Sequence, residues 1–419
     1  MNWWRRLAAS RLLDAGAVVV TLLLLSRWVA IVPTRWCDYD FNHYYVGSRM
    51  LLTGQNPYTT SLEGMSRALG FTFAARTPNA CYPPSFLWLL MPLAALPPRV
   101  AYAVWVSVEI GCLLLLLWLT RRLLGERLSA RGCLFVAALT ITSRSVTYHM
   151  LFSQAQLLLA VLVLAAYAAH RAGKHGWACV AVSTAGILKL YPFVLLPWFI
   201  WSGGGGMRAR LYRLLGTAGF VLGIIALTGP ALWCDFIRHG LPLAGDEVGC
   251  TFDFSLSVMV INLGYAVHNF HPSPAAQQWW WGIGALTGLV IIAGAYGRCA
   301  AARRDPEGQF CLLCVAMLIG GITTQGHYFI FLMFPLTVAA VRIAARPTPA
   351  GVIGLILVVL AVNCIHPPDF LSRHSPWYIF ANDIPLYGLI GLAAFFWREL
   401  TVRRVDGERQ PSPEQRVIA

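Results

Sequence analysis

Runs of about 20 predominantly apolar residues recur from one end of this chain to the other, and a run of that length lets an α-helix cross a hydrocarbon core of about 30 Å. Of the 419 residues, 58% are hydrophobic and 12% are charged, against roughly 25% charged in a soluble domain. Lipid is the solvent that can cover so much apolar surface, and the expected fold class is an all-α polytopic membrane protein. A net charge of +14 would suggest nucleic acid as the partner of a soluble chain. Here the arginines cluster at the ends of apolar runs, as the positive-inside rule requires, so no nucleic-acid partner is needed. The start of the chain carries Arg5, Arg6 and Arg11 before a long apolar stretch without a small-residue cleavage site. It reads as a retained anchor with a cytoplasmic start rather than a signal peptide.

Hydropathy divides the chain into residues 1–32 (cytoplasmic N-terminus and first span), 33–82 (a large first outer loop), 83–232 (spans two to seven), 233–278 (a second outer segment), 279–397 (spans eight to twelve) and 398–419 (a polar cytoplasmic tail). Within the third division the spans are expected over Pro84–Leu96, Val100–Thr120, Cys133–Tyr148, Leu151–His170, Trp177–Trp201 and Leu214–Leu232. Twelve spans place Arg298, Arg303, Arg304, Arg342, Arg346 and Arg398 inside. They leave Arg121, Arg122, Arg127 and Arg131 outside, unless Pro84–Leu96 and Val100–Thr120 form one crossing plus a re-entrant piece. The Gly203–Gly206 run lacks the spacing of a nucleotide cradle and reads as a flexible link.

One polar stretch stands apart, CDYDFNHYYVGSRMLLTGQNPY from Cys37 to Tyr58, where acids, a histidine and aromatics crowd together. If Phe41–Leu52 is helical, Asp40 lies at its N-terminus, with Tyr44 and Ser48 on successive turns of the same face. The helix dipole favours a carboxylate there, so Asp40 is either an ionised base or simply an N-cap. Asp38 competes with it, but two residues apart on one helix the acids cannot point the same way. Asp38-Tyr39-Asp40 also imitates a metal-holding DxD, although no nucleotide-binding α/β pattern surrounds it, so no metal is expected. Lys189 in the middle of an apolar run is a functional-site candidate by its cost in lipid, or a lysine that snorkels, and Arg144 shares that ambiguity. His327 begins an outer-facing helix end, where it either approaches substrate or is satisfied by helix packing.

Most of the eleven cysteines are expected to fill apolar space, the Cys311/Cys314 CxxC included. Cys37 and Cys81 bracket the first outer loop and could be bonded if it faces an oxidising compartment, with Cys234 and Cys250 a second possible pair.

Taken together, Asp40-Phe41, Tyr44-Tyr45, Leu52, Gly54, Pro57-Tyr58, Tyr82-Pro83-Pro84, Pro92-Leu93, Gln154 and Gln156, Lys189-Leu190-Tyr191-Pro192, His327-Tyr328 and Pro335 resemble, in order and spacing, glycosyltransferase family 87 of the GT-C superfamily. The resemblance covers about Val32 to Pro335. It implies a GT-C-type bundle of about 12 transmembrane helices in the bacterial inner membrane, with the site facing the periplasm. It further implies hexose transfer, most often of mannose, from a polyprenyl-phosphate donor to a glycolipid or glycan acceptor. The family's catalytic aspartate falls on Asp40. His327, Lys189, Arg144, Tyr44, Tyr45, Gln154 and Gln156 become candidates for binding donor phosphate or sugar, with no cofactor. The family's Gly-Gln-x-Asn reads Ser153-Gln154-Ala155-Gln156 here, and Gln325 replaces an aromatic. A flippase of lipid-linked substrate, or a non-catalytic relative that binds an envelope lipid, is the competing reading.

Overall fold

The computed structural model describes residues 40–71, 78–245, 253–302, 305–364 and 376–408, with isolated positions between 15 and 26. Asp38, Cys37, Cys250, most of the expected first span and the end of the polar tail lie outside the described residues. Among the described residues the regular elements are helices, joined by one isolated antiparallel bridge between Asp253 and Gln325. The chain forms two compact units, Met1–Glu247 with Gly326–Ile330, and Val248–Gln325 with Phe331–Ala419.

In the first unit the helices are α1 (Asp40–Leu52), α2 (Glu63–Ala68), α3 (Pro84–Ala94), α4 (Pro98–Leu124), α5 (Ala130–Thr142), α6 (Arg144–Phe152), α7 (Gln156–Arg171), α8 (His175–Leu188), α9 (Leu196–Ser202), α10 (Met207–Thr228), α11 (Pro230–Asp235) and α12 (Leu241–Gly245). Prolines open α3, α4 and α11, where a missing N–H costs nothing and the ring presets φ. Ser129 caps α5 by accepting from the Gly132 amide. In the packing, α1 lies on α3, α4 on α7, and α7 on α8.

Four expected spans are broken, each for a local reason. The run expected over Leu151–His170 is cut at Ser153, whose left-handed backbone (φ 52°, ψ 45°) separates α6 from α7. The run expected over Cys133–Tyr148 breaks at Ser143, whose extended backbone (φ −64°, ψ 145°) ends α5 while its hydroxyl accepts from the Val146 amide to start α6. The run expected over Trp177–Trp201 ends at Leu188, with Lys189 extended (φ −156°, ψ 115°) and a tight 3₁₀ turn over Tyr191–Leu195 before α9. Continuing that helix would drive the Pro192 ring into the Leu188 carbonyl. Gly186 lies so close to the Phe193 ring that a β-carbon would sit 2.6 Å from it, so the segment after the break packs back on α8. Leu214–Leu232 is interrupted at Gly229 (φ 96°) and Pro230. The glycine run at 203–206 is not a free link, because Arg213 Nη2 donates to the carbonyls of Gly203 and Gly204 at 3.1 Å each.

The second unit contains α13 (Leu256–Val267), α14 (Pro274–Ala301), α15 (Pro306–Ile319), α16 (Met333–Ala345), α17 (Pro349–Asn363), α18 (Pro376–Asn382) and α19 (Ile384–Glu408). Every residue of α15 from Glu307 to Ile319 is buried, including Cys311 and Cys314, which fill apolar space as expected. Asp305 caps α15 through the Gly308 amide and forms a two-point pair with Arg342 of α16 at 2.8 Å on each arm, while Arg342 also reaches Glu307 at 3.1 Å.

Four helices among the described residues are long and apolar enough to cross a membrane: Pro98–Arg127, Met207–Thr228, Pro274–Ala301 and Gly326–Ala345, the last including a 3₁₀ start. Eight further apolar helices are shorter. With 11 residues at a rise of about 1.5 Å each, α3 is about 16 Å long and too short to cross alone.

Candidate functional site

The site begins at Asp40, the first residue of α1. This helix buries Phe41, Tyr44, Tyr45, Ser48 and Met50, and the Ser48 hydroxyl donates to the Tyr44 carbonyl at 2.6 Å. Asp40 stays half-buried at the edge of that packing. Its two carboxylate oxygens accept from side chains far away in sequence. The Tyr82 hydroxyl donates to Oδ1 at 2.5 Å, and Gln154 Nε2 donates to Oδ2. A residue that serves only as an N-cap has no need of such partners.

Each partner is delivered by a specific piece of local structure. Tyr82 precedes Pro83, which disfavours helix at Tyr82 and leaves it just ahead of α3. Its ring packs edge-on against Tyr44 at 4.6 Å, and Tyr44 meets Phe86 at 4.9 Å. Gln154 follows Ser153, which ends α6 in the left-handed conformation (φ 52°, ψ 45°) and turns the chain into α7. The far end of the Gln154 amide is a junction, its Oε1 accepting from the Tyr44 hydroxyl at 3.2 Å and from Lys189 Nζ at 3.4 Å. Lys189 is available because the helix stops before it. Its ammonium also lies 4.8 Å from the centre of the Tyr328 ring and 5.7 Å from that of Tyr82, and Tyr191 stacks on Tyr328 at 5.0 Å.

Burial first, and then the negative charge of Asp40, hold the Tyr44 and Tyr82 phenols well above the ordinary tyrosine range. Both therefore remain protonated donors. The result is a carboxylate and an ammonium on opposite ends of one amide, lined by phenols. The carboxylate can take a proton, and the ammonium can balance an anion.

Asp40, Tyr44, Gln154 and Lys189 are thus brought together from the predicted set. Tyr45 is not at the carboxylate; its hydroxyl donates to the Leu96 carbonyl at 2.7 Å and its ring meets Phe41 and Phe71. Gln156 opens α7 fully buried, with neither side-chain polar atom hydrogen-bonded among the described residues. His327 is buried between Phe152 and Tyr328, and its Nε2 has no hydrogen-bond partner among the described residues. Arg144 starts α6 with its guanidinium 5.4 Å from the Tyr148 ring. Asp38 lies outside the described residues.

Sequence reading did not select Tyr82 or Tyr328 as site residues, although both sit in the motifs it used. It also passed over Glu109 and His149, which form a buried pair at 2.7 Å. The available signal was an acid inside an otherwise apolar helix.

Four helices long and apolar enough to cross a membrane, and within the first unit an acid joined through one amide to a lysine, are features of a membrane protein with a polar site. The model of glycosyltransferase family 87 matches residues 80–324, more than half of the chain, and the protein belongs to that family. It is a glycosyltransferase, moving a sugar from a donor to an acceptor. The matched segment includes Tyr82, Gln154 and Lys189, and Asp40 lies upstream of it. No curated protein matches the chain.

Proposed function

We propose that the protein transfers a hexose, with mannose as the proposed sugar, from a polyprenyl-phosphate donor to a hydroxyl of a glycolipid or glycan acceptor, with inversion at the anomeric carbon. Asp40 is the general base. The acceptor oxygen attacks the anomeric carbon, its proton passes to Asp40, and the bond to the donor phosphate breaks with its electrons going to the phosphate oxygen. Lys189, with the Tyr328 ring behind it, balances the charge on the departing phosphate. His327 and Arg144 are further donor-binding candidates, and Asp38 supports or replaces Asp40. No metal or cofactor takes part.

The observation that carries this reading is the Asp40–Gln154–Lys189 junction, where an acid and a cation contact opposite ends of one amide. The reaction belongs at the periplasmic side of a bacterial inner membrane, in a GT-C-type bundle of about 12 spans with residues 33–82 as the outer loop. The shortness of α3 supports its serving as a re-entrant piece beside α4. That arrangement returns Arg121, Arg122 and Arg127 to the inside, and the later arginines Arg298, Arg342 and Arg398 stay inside when one further expected span, the run broken at Ser143, also does not cross.

The test is Asp40→Asn in purified protein reconstituted in lipid, supplied with polyprenyl-phosphate sugars and a membrane lipid extract. Transfer is expected to vanish while the melting temperature holds. Full activity of the variant would refute the base assignment. Label that crosses between leaflets without bond cleavage would favour a flippase instead.

A further inference from the structure

In α4, a membrane-length helix, Glu109 is the single acid, and it is 2% exposed. Its Oε2 lies 2.7 Å from Nε2 of His149, which is 0% exposed. Burying these two groups is costly unless they serve each other, and an ionisable group at such a depth calls for a role. Their position supplies one.

Tyr102, Trp105 and Glu109 recur at a spacing that places them on one face of α4, and all three contact the end of α6. The Ser153 hydroxyl donates to the Tyr102 hydroxyl at 3.2 Å, Trp105 Nε1 donates to the Ser153 carbonyl at 3.1 Å, and Glu109 holds the His149 ring. The His149 carbonyl in turn accepts from the backbone amides of Ser153 and Gln154, the latter at 3.1 Å. Ser153 is a non-glycine residue at positive φ, a conformation that persists where its surroundings impose it. One helix face thus grips a strained turn at three points, and the next residue is Gln154.

We propose that Glu109 and His149 are positioning residues. They hold the Ser153 turn so that the Gln154 amide presents its nitrogen to Asp40 and its oxygen to Tyr44 and Lys189. The proposal rests on the reading of Asp40 as the base, but its test does not depend on that reading.

The experiment measures kcat and donor KM with polyprenyl-phosphate mannose for reconstituted Glu109→Ala, Glu109→Gln, Gln154→Ala and the double variant Glu109→Ala/Gln154→Ala. Glu109→Ala is expected to lower kcat about tenfold to a hundredfold, with donor KM changed by less than about threefold. Glu109→Gln, which keeps a hydrogen bond to the imidazole, is expected to restore kcat to within about threefold of the parent. Because Glu109 acts through Gln154, adding Glu109→Ala to Gln154→Ala should lower activity no further. The same reduction in both backgrounds, or no reduction in either, overturns the proposal. If Glu109→Ala does not fold, Trp105→Phe removes one grip on the Ser153 carbonyl. It should lower kcat in the parent and leave Gln154→Ala unchanged, and equal effects in both again overturn the idea. Asp40→Asn read alongside keeps the two failures apart: its full activity refutes the base, whereas the coupling between 109 and 154 alone decides the positioning role.

Discussion

Replacing Gln154 with alanine removes a donor to Asp40 Oδ2 and an acceptor for the Tyr44 hydroxyl at 3.2 Å and for Lys189 Nζ at 3.4 Å. A hydrogen bond to a charged group contributes about 1.5–3 kcal/mol. The Lys189 contact is long and counts little, so the Asp40 bond carries the estimate. If that energy serves to orient the base in the transition state, kcat falls about tenfold to a hundredfold or slightly more. Tyr44 is 0% exposed, and its hydroxyl loses the acceptor on Gln154, which costs a further ~1–3 kcal/mol of stability. The two effects are measured separately. Transfer of radiolabelled sugar in lipid nanodiscs gives kcat and KM, and thermal unfolding of the same preparation gives stability. Gln154→Glu sharpens the test, because it keeps the shape and sets a second carboxylate against Asp40. Like charges disfavour ionisation, so the pH at which activity is lost on acidification should move upward. A folded Gln154→Ala enzyme with parental kcat would refute the reasoning, since the amide would then be packing material and the junction incidental.

Tyr82→Phe removes the donor to Asp40 Oδ1 and keeps the ring contacts with Tyr44 and Phe86; kcat should fall about tenfold while melting changes little. In the parent, the raised Tyr44 and Tyr82 phenols keep their protons beyond the pH of about 10 at which an unfolded tyrosine loses its own. Their stabilising contribution is therefore complete below that pH and declines above it, which an alkaline unfolding series would show. Arg342→Met strands Asp305 and Glu307, both buried, and should cost about 3–5 kcal/mol, read as a lower melting temperature or loss of folded protein. Asp383, 1% exposed in the turn between α18 and α19, has its carboxyl pushed up to about 8 by burial. From the pH near 4 where the unfolded carboxyl ionises, stability should decline up to about 8 and then level off. Asp383→Asn should flatten that decline and raise the melting temperature at neutral pH.

How much was legible in advance differs from residue to residue. The apolar runs made helices, and the prolines opening α3, α4 and α14 mark their starts in the sequence itself. Asp40 could be placed at a helix start because that is a matter of neighbouring residues. The breaks at Ser143 and Lys189 were also written locally, in a capping serine and in Pro192, but continuous hydrophobicity concealed them. The contents of the site were not local at all: Tyr82 lies 42 positions from Asp40, Gln154 lies 114 away, and Lys189 meets Gln154 across 35.

Taken alone, then, the order of residues determined that the protein is helical and suited to lipid, because burial of apolar surface and the φ demands of proline act over a few neighbouring positions. Motif order also brought its family into view. The tertiary fold decided which polar groups touch the acid, that Tyr45 turns away from it, and that Glu109 has His149 as its partner. Those outcomes depend on which helices pack and how each chain break aims the next side chain, and no short window of sequence contains that information.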